Sequence, residues 1–218
     1  MGRVIYGYVH RFAFRLSQEI HVAYIEIYPE NPPHFAPEKS ILTPMKTKIS
    51  QPYYCLFFAL LFALCYWLNE DILTAICWAC FCSLLFAISV VDGYYRLISP
   101  ALCQNLFALG LGAAYWQITP LTLEQSLQSA VIFFTVFSLI YYSAKGYYKQ
   151  EAFGRGDCWL ALGLGTFFSY EKLPAFLLLA CLSGLVYALY GKLSKRHLTA
   201  IPFGPFLSLS GVLCRLLN

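Results

Sequence analysis

Long apolar runs are the feature that most restricts how this chain can fold. Seven of them follow one another, at 52–68, 72–91, 101–118, 127–142, 158–170, 173–190 and 201–217. A helix of about 20 apolar residues crosses the hydrocarbon core of a bilayer, and a helix satisfies its own backbone hydrogen bonds there. The runs therefore predict an all-α fold, a polytopic integral membrane helix bundle with about seven transmembrane helices. The short fifth run would need neighbouring loop residues to complete its span.

The composition supports a membrane protein. Hydrophobic residues make up 59% of the 218 residues and charged residues only 12%, which lies outside the usual range of soluble globular domains. The net charge of +4 is explained by loops that face the cytoplasm and by contact with anionic lipid. The lipid bilayer is thus a predicted partner, and nucleic acid is not.

The basic residues are distributed unequally between the two sides of the predicted bundle. Lys and Arg are retained in cytoplasmic loops. If the segment before residue 52 is cytoplasmic, Lys172 and Arg215 alone fall outside, and the other 13 of the 15 basic residues fall inside. This distribution predicts cytoplasmic connections at 92–100, 143–157 and 191–200.

The nine cysteines do not form a recognisable metal or disulfide pattern. Cys77, Cys80 and Cys82 lie inside one apolar run, without a histidine or carboxylate that would complete a metal site. Cysteine often serves as a small apolar side chain in such surroundings. We expect neither zinc nor structural disulfides, and no cofactor.

Residues 1–51 differ from the remainder, so we divide the chain into an N-terminal segment, 1–51, and a transmembrane domain, 52–218. The stretch 4–16 is apolar but carries His10, Arg11 and Arg15, which makes a spanning helix costly. It predicts a membrane-surface helix or the end of a truncated span. The stretch 21–28 has strand character, and 30–51 is a polar linker.

Two aspartates lie at the predicted cytoplasmic ends of apolar runs. Asp92 closes the second run, and Asp157 opens the fifth after Gly154 and Gly156. Each could have a purely structural role: Asp92 could start a turn or cap the next helix, and Asp157 could cap its own helix. Ionisable residues at membrane depth are otherwise disfavoured unless they are paired or functional, and these two share one depth.

A pair of carboxylates can hydrolyse a peptide without a metal. Two carboxylates close together tend to hold one proton between them. The ionised member can act as base on water while the protonated member donates to the scissile carbonyl. Glycines beside Asp157 would let an extended peptide backbone approach the acid.

Three stretches carry a resemblance to a known family. They are SVVDGYYRLISP at 89–100, EAFGRGDCWLALGLGTFF at 151–168 and IPFGPFLSLSG at 201–211. Together they resemble the type IV prepilin peptidases, membrane-embedded aspartic peptidases with one aspartate closing a helix and a Gly-x-Gly-Asp motif opening a later one. The resemblance runs from about residue 52 to the end.

The resemblance implies roles for particular residues. Asp92 and Asp157 would be the catalytic pair, and Gly154 and Gly156 would shape the substrate site. The Phe203–Pro205 segment resembles a packing or substrate-groove element, and it can equally be a kinked helix; we assign it no chemistry.

The chain departs from the family pattern in several places. Ile98-Ser99-Pro100 stands where a Leu/Ile-Pro-Asp turn is usual, and Trp159 stands where a lysine usually follows the second aspartate. Residues 1–51 contain no cysteine, whereas many members carry zinc-binding cysteines there that are associated with N-methylation, so methyltransferase activity is doubtful. The stretch 12–17 resembles one just inside the family's first helix; either the chain starts late or seven spans suffice.

The resemblance implies an intramembrane aspartic endopeptidase that removes the leader of type IV prepilin or pseudopilin-like substrates. Its active site would face the cytoplasm from the bacterial inner membrane. One alternative is a catalytically weak relative that binds prepilins or components of a secretion machinery. Another is a transporter that carries protons on Asp92 and Asp157, although transporter sites usually lie near the midplane.

Overall fold

The chain is helical through nearly all of the part that the structure describes. The computed structural model describes residues 1–30, 45, 50–69, 71–149, 154–194 and 201–217. These residues contain no strand, and they form eight α-helices and a short 3-10 helix, Tyr170–Lys172. The helices are α1 (Gly2–Ile27), α2 (Gln51–Leu68), α3 (Ile72–Tyr95), α4 (Pro100–Tyr115), α5 (Leu123–Tyr148), α6 (Arg155–Gly165), α7 (Leu173–Leu193) and α8 (Gly204–Leu216).

Each of the seven apolar runs overlaps one of the helices α2 to α8, which confirms the prediction of a polytopic all-α membrane protein. By length and composition, α2, α3, α5 and α7 could each cross a membrane. Helix α6 has only 11 residues, or about 16 Å at 1.5 Å per residue, which is half the thickness of the hydrocarbon core. The connection predicted at 143–157 is shorter than expected, because α5 continues to Tyr148 and α6 begins at Arg155.

One prediction for the N-terminal segment is wrong. The stretch 21–28, to which we assigned strand character, belongs to α1 as far as Ile27. A helix pairs its own backbone groups, whereas an isolated strand has no partner for them, and the described part of the chain offers no other strand. The predicted linker at 30–51 lies mostly outside the described residues.

The chain forms two compact units, Met1–Leu61 and Phe62–Asn218. In the first, α1 approaches the start of α2 closely, since a Cβ atom on Gly2 would lie 2.8 Å from Cα of Cys55. The second contains α3 to α8 and both aspartates. The boundary between residues 51 and 52 that we infer from the sequence stays a prediction.

Helix α6 packs against α4, α5 and α8 in the second unit. Small residues let these helices approach it closely. A Cβ atom on Gly165 would lie 2.7 Å from Cα of Ala130 in α5, and one on Gly163 would lie 3.2 Å from the carbonyl oxygen of Cys103 in α4. The glycines of α6 are therefore required by backbone packing.

Serine hydroxyls of α5 satisfy backbone groups where α6 ends. The Ser126 hydroxyl donates to the carbonyl oxygen of Thr166 at 2.8 Å, and the Ser129 hydroxyl accepts from the backbone N–H of Tyr170 at 3.0 Å. Unpaired backbone groups are costly at membrane depth. These two bonds allow a helix to end inside the bundle.

We predict that Gly165→Ala lowers the free energy of unfolding by about 1–3 kcal/mol, because the added methyl overpacks the contact with Ala130. Gly146→Ala in α5 is the control, since a Cβ atom there meets nothing within 4 Å and alanine favours the helix. Reversible unfolding in detergent micelles measures both. Equal stability of the two variants would contradict this packing.

Candidate active site

Asp92 lies in the last turn of α3 and is buried, with 5% of its surface exposed. Its carboxylate does not cap α4 in the structure. Instead, Oδ2 accepts a hydrogen bond of 2.9 Å from the backbone N–H of Gly204, the first residue of α8. A first-turn N–H has no partner within its own helix, so the carboxylate satisfies this donor and links α3 to α8.

Asp157 lies in the first turn of α6 and is also 5% exposed. Its Oδ2 accepts a hydrogen bond of 3.2 Å from the backbone N–H of Gly154. This is the return half of a capping box, with Asp157 at the third helical position instead of the cap itself. No described group donates to the other oxygen, Oδ1, which is buried.

The structure brings the two aspartates into one site. They are close enough for the charge of Asp92 to act on Asp157. Helices α3 and α6 both pack against α4 and α8, and Ile98, three residues after the end of α3, lies against Gly156 at the start of α6. The arrangement is asymmetric. The Asp92 carboxylate accepts a hydrogen bond from a helix distant in sequence, whereas the Asp157 carboxylate accepts one only from the residue before its own helix. One oxygen of Asp157 has no donor among the described residues.

The two glycines before Asp157 have different surroundings. A Cβ atom on Gly156 would lie 2.7 Å from Cβ of Ile98, so this glycine lets the segment after α3 pack against the start of α6. A Cβ atom on Gly154 would lie 3.0 Å from Oδ2 of Asp157. Room for the Asp157 carboxylate is thus one reason for this glycine; the shaping of a substrate site by either residue stays a prediction.

Gly204 is the site residue that our sequence reasoning missed, since we gave the Phe203–Pro205 segment no chemistry. A Cβ atom on Gly204 would lie 2.7 Å from Oδ2 of Asp92, so only glycine fits here without displacement. The available signal was the position of the glycine just before Pro205, at a helix start. Such a residue exposes an unpaired N–H, although its acceptor could not be identified.

Trp159 lies on another side of α6 from Asp157. Its side chain is 46% exposed and packs on Phe134 of α5, with ring centroids 5.6 Å apart. Two residues along a helix correspond to a rotation of about 200°, which agrees with this placement. Arg155 also turns toward α5, where its Nε donates to the hydroxyl of Tyr141 at 3.0 Å.

The described residues contain no group of three or more His, Cys, Asp or Glu side chains that could hold a metal ion. The site offers carboxylates and backbone N–H groups. This donor set suits proton transfer. A metal-independent reaction stays a prediction.

Comparison with known proteins identifies relatives. The profile of the Type IV leader peptidase family matches residues 79–189, a stretch that contains both aspartates. A protein named prepilin leader peptidase/N-methyltransferase from Haemophilus influenzae is 37% identical over 214 residues, which are 98% of this chain and 91% of that protein.

Other relatives match over shorter stretches. A type 4 prepilin-like proteins leader peptide-processing enzyme from Escherichia coli is 35% identical over 59% of this chain, which corresponds to 46% of its own length. Leader peptidase HopD from Salmonella typhimurium is 32% identical over 46% of this chain and 67% of its own length. No solved structure matches the chain.

We predict that Gly204→Ala lowers the free energy of unfolding by about 1–3 kcal/mol, since the methyl collides with the Asp92 carboxylate and strains the contact between α3 and α8. Gly93→Ala is the matched control, because it adds a methyl next to Asp92 where nothing lies within 4 Å. Thermal unfolding of the detergent-solubilised variants compares them. A stable Gly204→Ala variant would show that the close contact is absent.

Proposed function

Because this chain belongs to the type IV leader peptidase family, we propose that it is an aspartic endopeptidase that removes the leader peptide of type IV prepilin or pseudopilin-like substrates. The observation that carries the proposal is the buried pair of Asp92 and Asp157 within the matched stretch. The pair lies at helix ends, where a substrate peptide can leave the membrane and reach it.

The reaction needs one proton shared between the two carboxylates. The ionised carboxylate removes a proton from water while the protonated one donates to the oxygen of the scissile carbonyl. Water attacks the carbonyl carbon to give a tetrahedral diol. The diol then collapses: the carboxyl that took the proton from water gives it to the peptide nitrogen, which leaves as an amine, and the other carboxylate takes a proton from a diol hydroxyl, which becomes the carbonyl of the product acid. One proton is again shared by the pair.

The surroundings of the two aspartates support different starting roles. Oδ2 of each aspartate accepts one backbone N–H bond, which favours the ionised form, and the bond from Gly204 to Asp92, at 2.9 Å, is shorter than the bond from Gly154 to Asp157, at 3.2 Å. Asp157 has an oxygen to which no described group donates, and this oxygen can carry the proton or contact water and substrate. We propose that Asp92 starts as the base and Asp157 as the acid.

We propose that this end of the bundle faces the cytoplasm from the bacterial inner membrane. The proposal rests on the 13 basic residues that the sequence places on the side of Asp92 and Asp157. The relatives that match are bacterial. The exposed apolar helices of this chain suit a lipid environment, where the substrate would be a membrane-anchored peptide.

The name of the Haemophilus relative includes an N-methyltransferase, but we propose only the peptidase step for this chain. Residues 1–51 contain no cysteine, so the cysteine pattern that the resemblance associates with methylation has no counterpart there.

A catalytically weak relative that binds prepilins is the second candidate, and Trp159 is the observation that favours it. The aromatic side chain stands where the resemblance implies a lysine, and it presents a partly exposed apolar surface on the α5 side of α6. Against this candidate, Trp159 packs on α5 and leaves the aspartate pair intact. A wild-type chain that binds a prepilin-like peptide but never cleaves it would establish the second candidate.

We predict that Asp92→Asn and Asp157→Asn each lower the rate of leader removal by about 10²–10⁴-fold or more, as expected for loss of a general acid or base. The double variant should be little slower than either single variant, because members of one catalytic unit are not additive. The measurement is cleavage of a prepilin-like peptide by detergent-solubilised protein at matched amounts.

Asp71→Asn is the matched control for this series. Asp71 caps the other end of α3, where its side chain accepts from the backbone N–H of Thr74, and asparagine caps a helix equally well. We expect near wild-type cleavage from this control. Near-equal cleavage by Asp157→Asn would refute the aspartate pair, because a capping role alone survives that substitution.

We predict that single cysteines at Lys149 and Glu124, placed in a cysteine-free background, label from opposite sides of the membrane. These residues lie near opposite ends of α5, and Lys149 is on the side of the aspartates. Labelling of intact cells with a membrane-impermeant thiol reagent should modify position 124 only. Labelling of both positions would contradict a cytoplasmic active site.

A further inference from the structure

A cavity of about 340 Å³ lies at the end of the second unit that is opposite to the aspartate pair. Trp78, one of its walls, precedes Asp92 by 14 residues in α3, or about 21 Å along the helix. Phe167 and Phe168, which follow the end of α6, form another wall. The cavity thus shares no residue with the proposed catalytic site.

The cavity is lined by the two basic residues that the predicted topology places on the outer side. Lys172 and Arg215 both line it, and none of the nine described residues that line it is acidic. Ser169 also lines it, and its hydroxyl does not cap the 3-10 helix that follows. Two cations and a hydroxyl on one cavity provide donors for an anionic group with several oxygens.

Arg215 is held in place by two contacts. Its guanidinium lies over the ring of Trp78, 4.5 Å from the ring centroid, and one of its terminal nitrogens donates to Oδ1 of Asn69 at 3.1 Å. A guanidinium has five N–H donors, so these contacts orient it and leave further donors. Orientation in advance reduces the entropy lost when a ligand binds.

The remaining walls are apolar. Besides Trp78, Phe167 and Phe168, they are Ile118, Pro120 and Leu121. A ligand that matches all walls therefore combines an anionic group with an apolar part. Basic pockets between membrane helices bind anionic lipid headgroups on the cytoplasmic side of membranes, and this cavity offers the same chemistry on the other side.

We propose that this cavity binds the phosphate of an anionic phospholipid, with the apolar walls contacting the first carbons of its chains. The site is separate from leader cleavage and does not depend on the proposed peptidase activity. A bound lipid would contact α3, α8 and the segments that follow α4 and α6 at the same time. Of these helices, α3 carries Asp92 and α6 carries Asp157 at the end away from the cavity.

The test uses the full chain, purified in a neutral detergent and delipidated. Native mass spectrometry measures the apparent affinity for phosphatidylglycerol, for phosphatidylcholine and for soluble glycerol phosphate. Phosphatidylglycerol should bind about tenfold or more tighter than the other two. Equal binding of phosphatidylcholine would overturn the anionic site, and equal binding of glycerol phosphate would overturn the assignment to a lipid.

Lys172→Gln is the decisive variant, because it leaves the contacts of Arg215 with Trp78 and Asn69 intact. It should weaken phosphatidylglycerol binding about fivefold, as expected for loss of one lysine near an anionic headgroup. Lys192→Gln removes the same charge near the other end of α7, where the side chain is exposed, and should leave binding within about twofold of wild type. Equal weakening by the two variants would refute a specific cavity.

Discussion

The burial of the short helix α6 is the constraint on which the rest of the second unit depends. A helix of 11 residues cannot cross a bilayer, so its ends and the following turn need partners inside the protein. Gly163 and Gly165 allow neighbouring backbones to approach it, and Ser126 and Ser129 pair with the backbone groups beyond its end. The position of α6 then fixes the position of Asp157.

The two aspartates are placed by different kinds of contact. The carboxylate of Asp92 is fixed by a tertiary bond to the start of α8, at a point where a side chain on Gly204 would collide with it. The carboxylate of Asp157 is fixed by a local bond to Gly154. A pair built in this way is asymmetric before substrate arrives, and asymmetry of environment is what separates an acid from a base among chemically identical groups.

Local patterns predicted much of this molecule. The apolar runs identified seven of the eight described helices, and the position of Asp92 and Asp157 at helix ends identified the site that we propose. Local reasoning failed for 21–28, where β-branched and aromatic residues suggested a strand, because strand formation depends on a partner that the described chain does not provide. It also gave no role to Gly204, since the acceptor of its N–H lies in a helix that is distant in sequence.

The sequence by itself determined that the chain is helical and membrane-embedded, because hydropathy acts through the solvent and needs no knowledge of packing. The distribution of its basic residues predicts which side faces the cytoplasm. Only the tertiary structure decided which helix faces meet. It directed Trp159 toward α5 and away from Asp157, joined Gly204 to Asp92, and placed Lys172 and Arg215 on one cavity. The physical reason is that a contact between distant segments depends on the mutual fit of helix surfaces, which no local pattern of residues encodes.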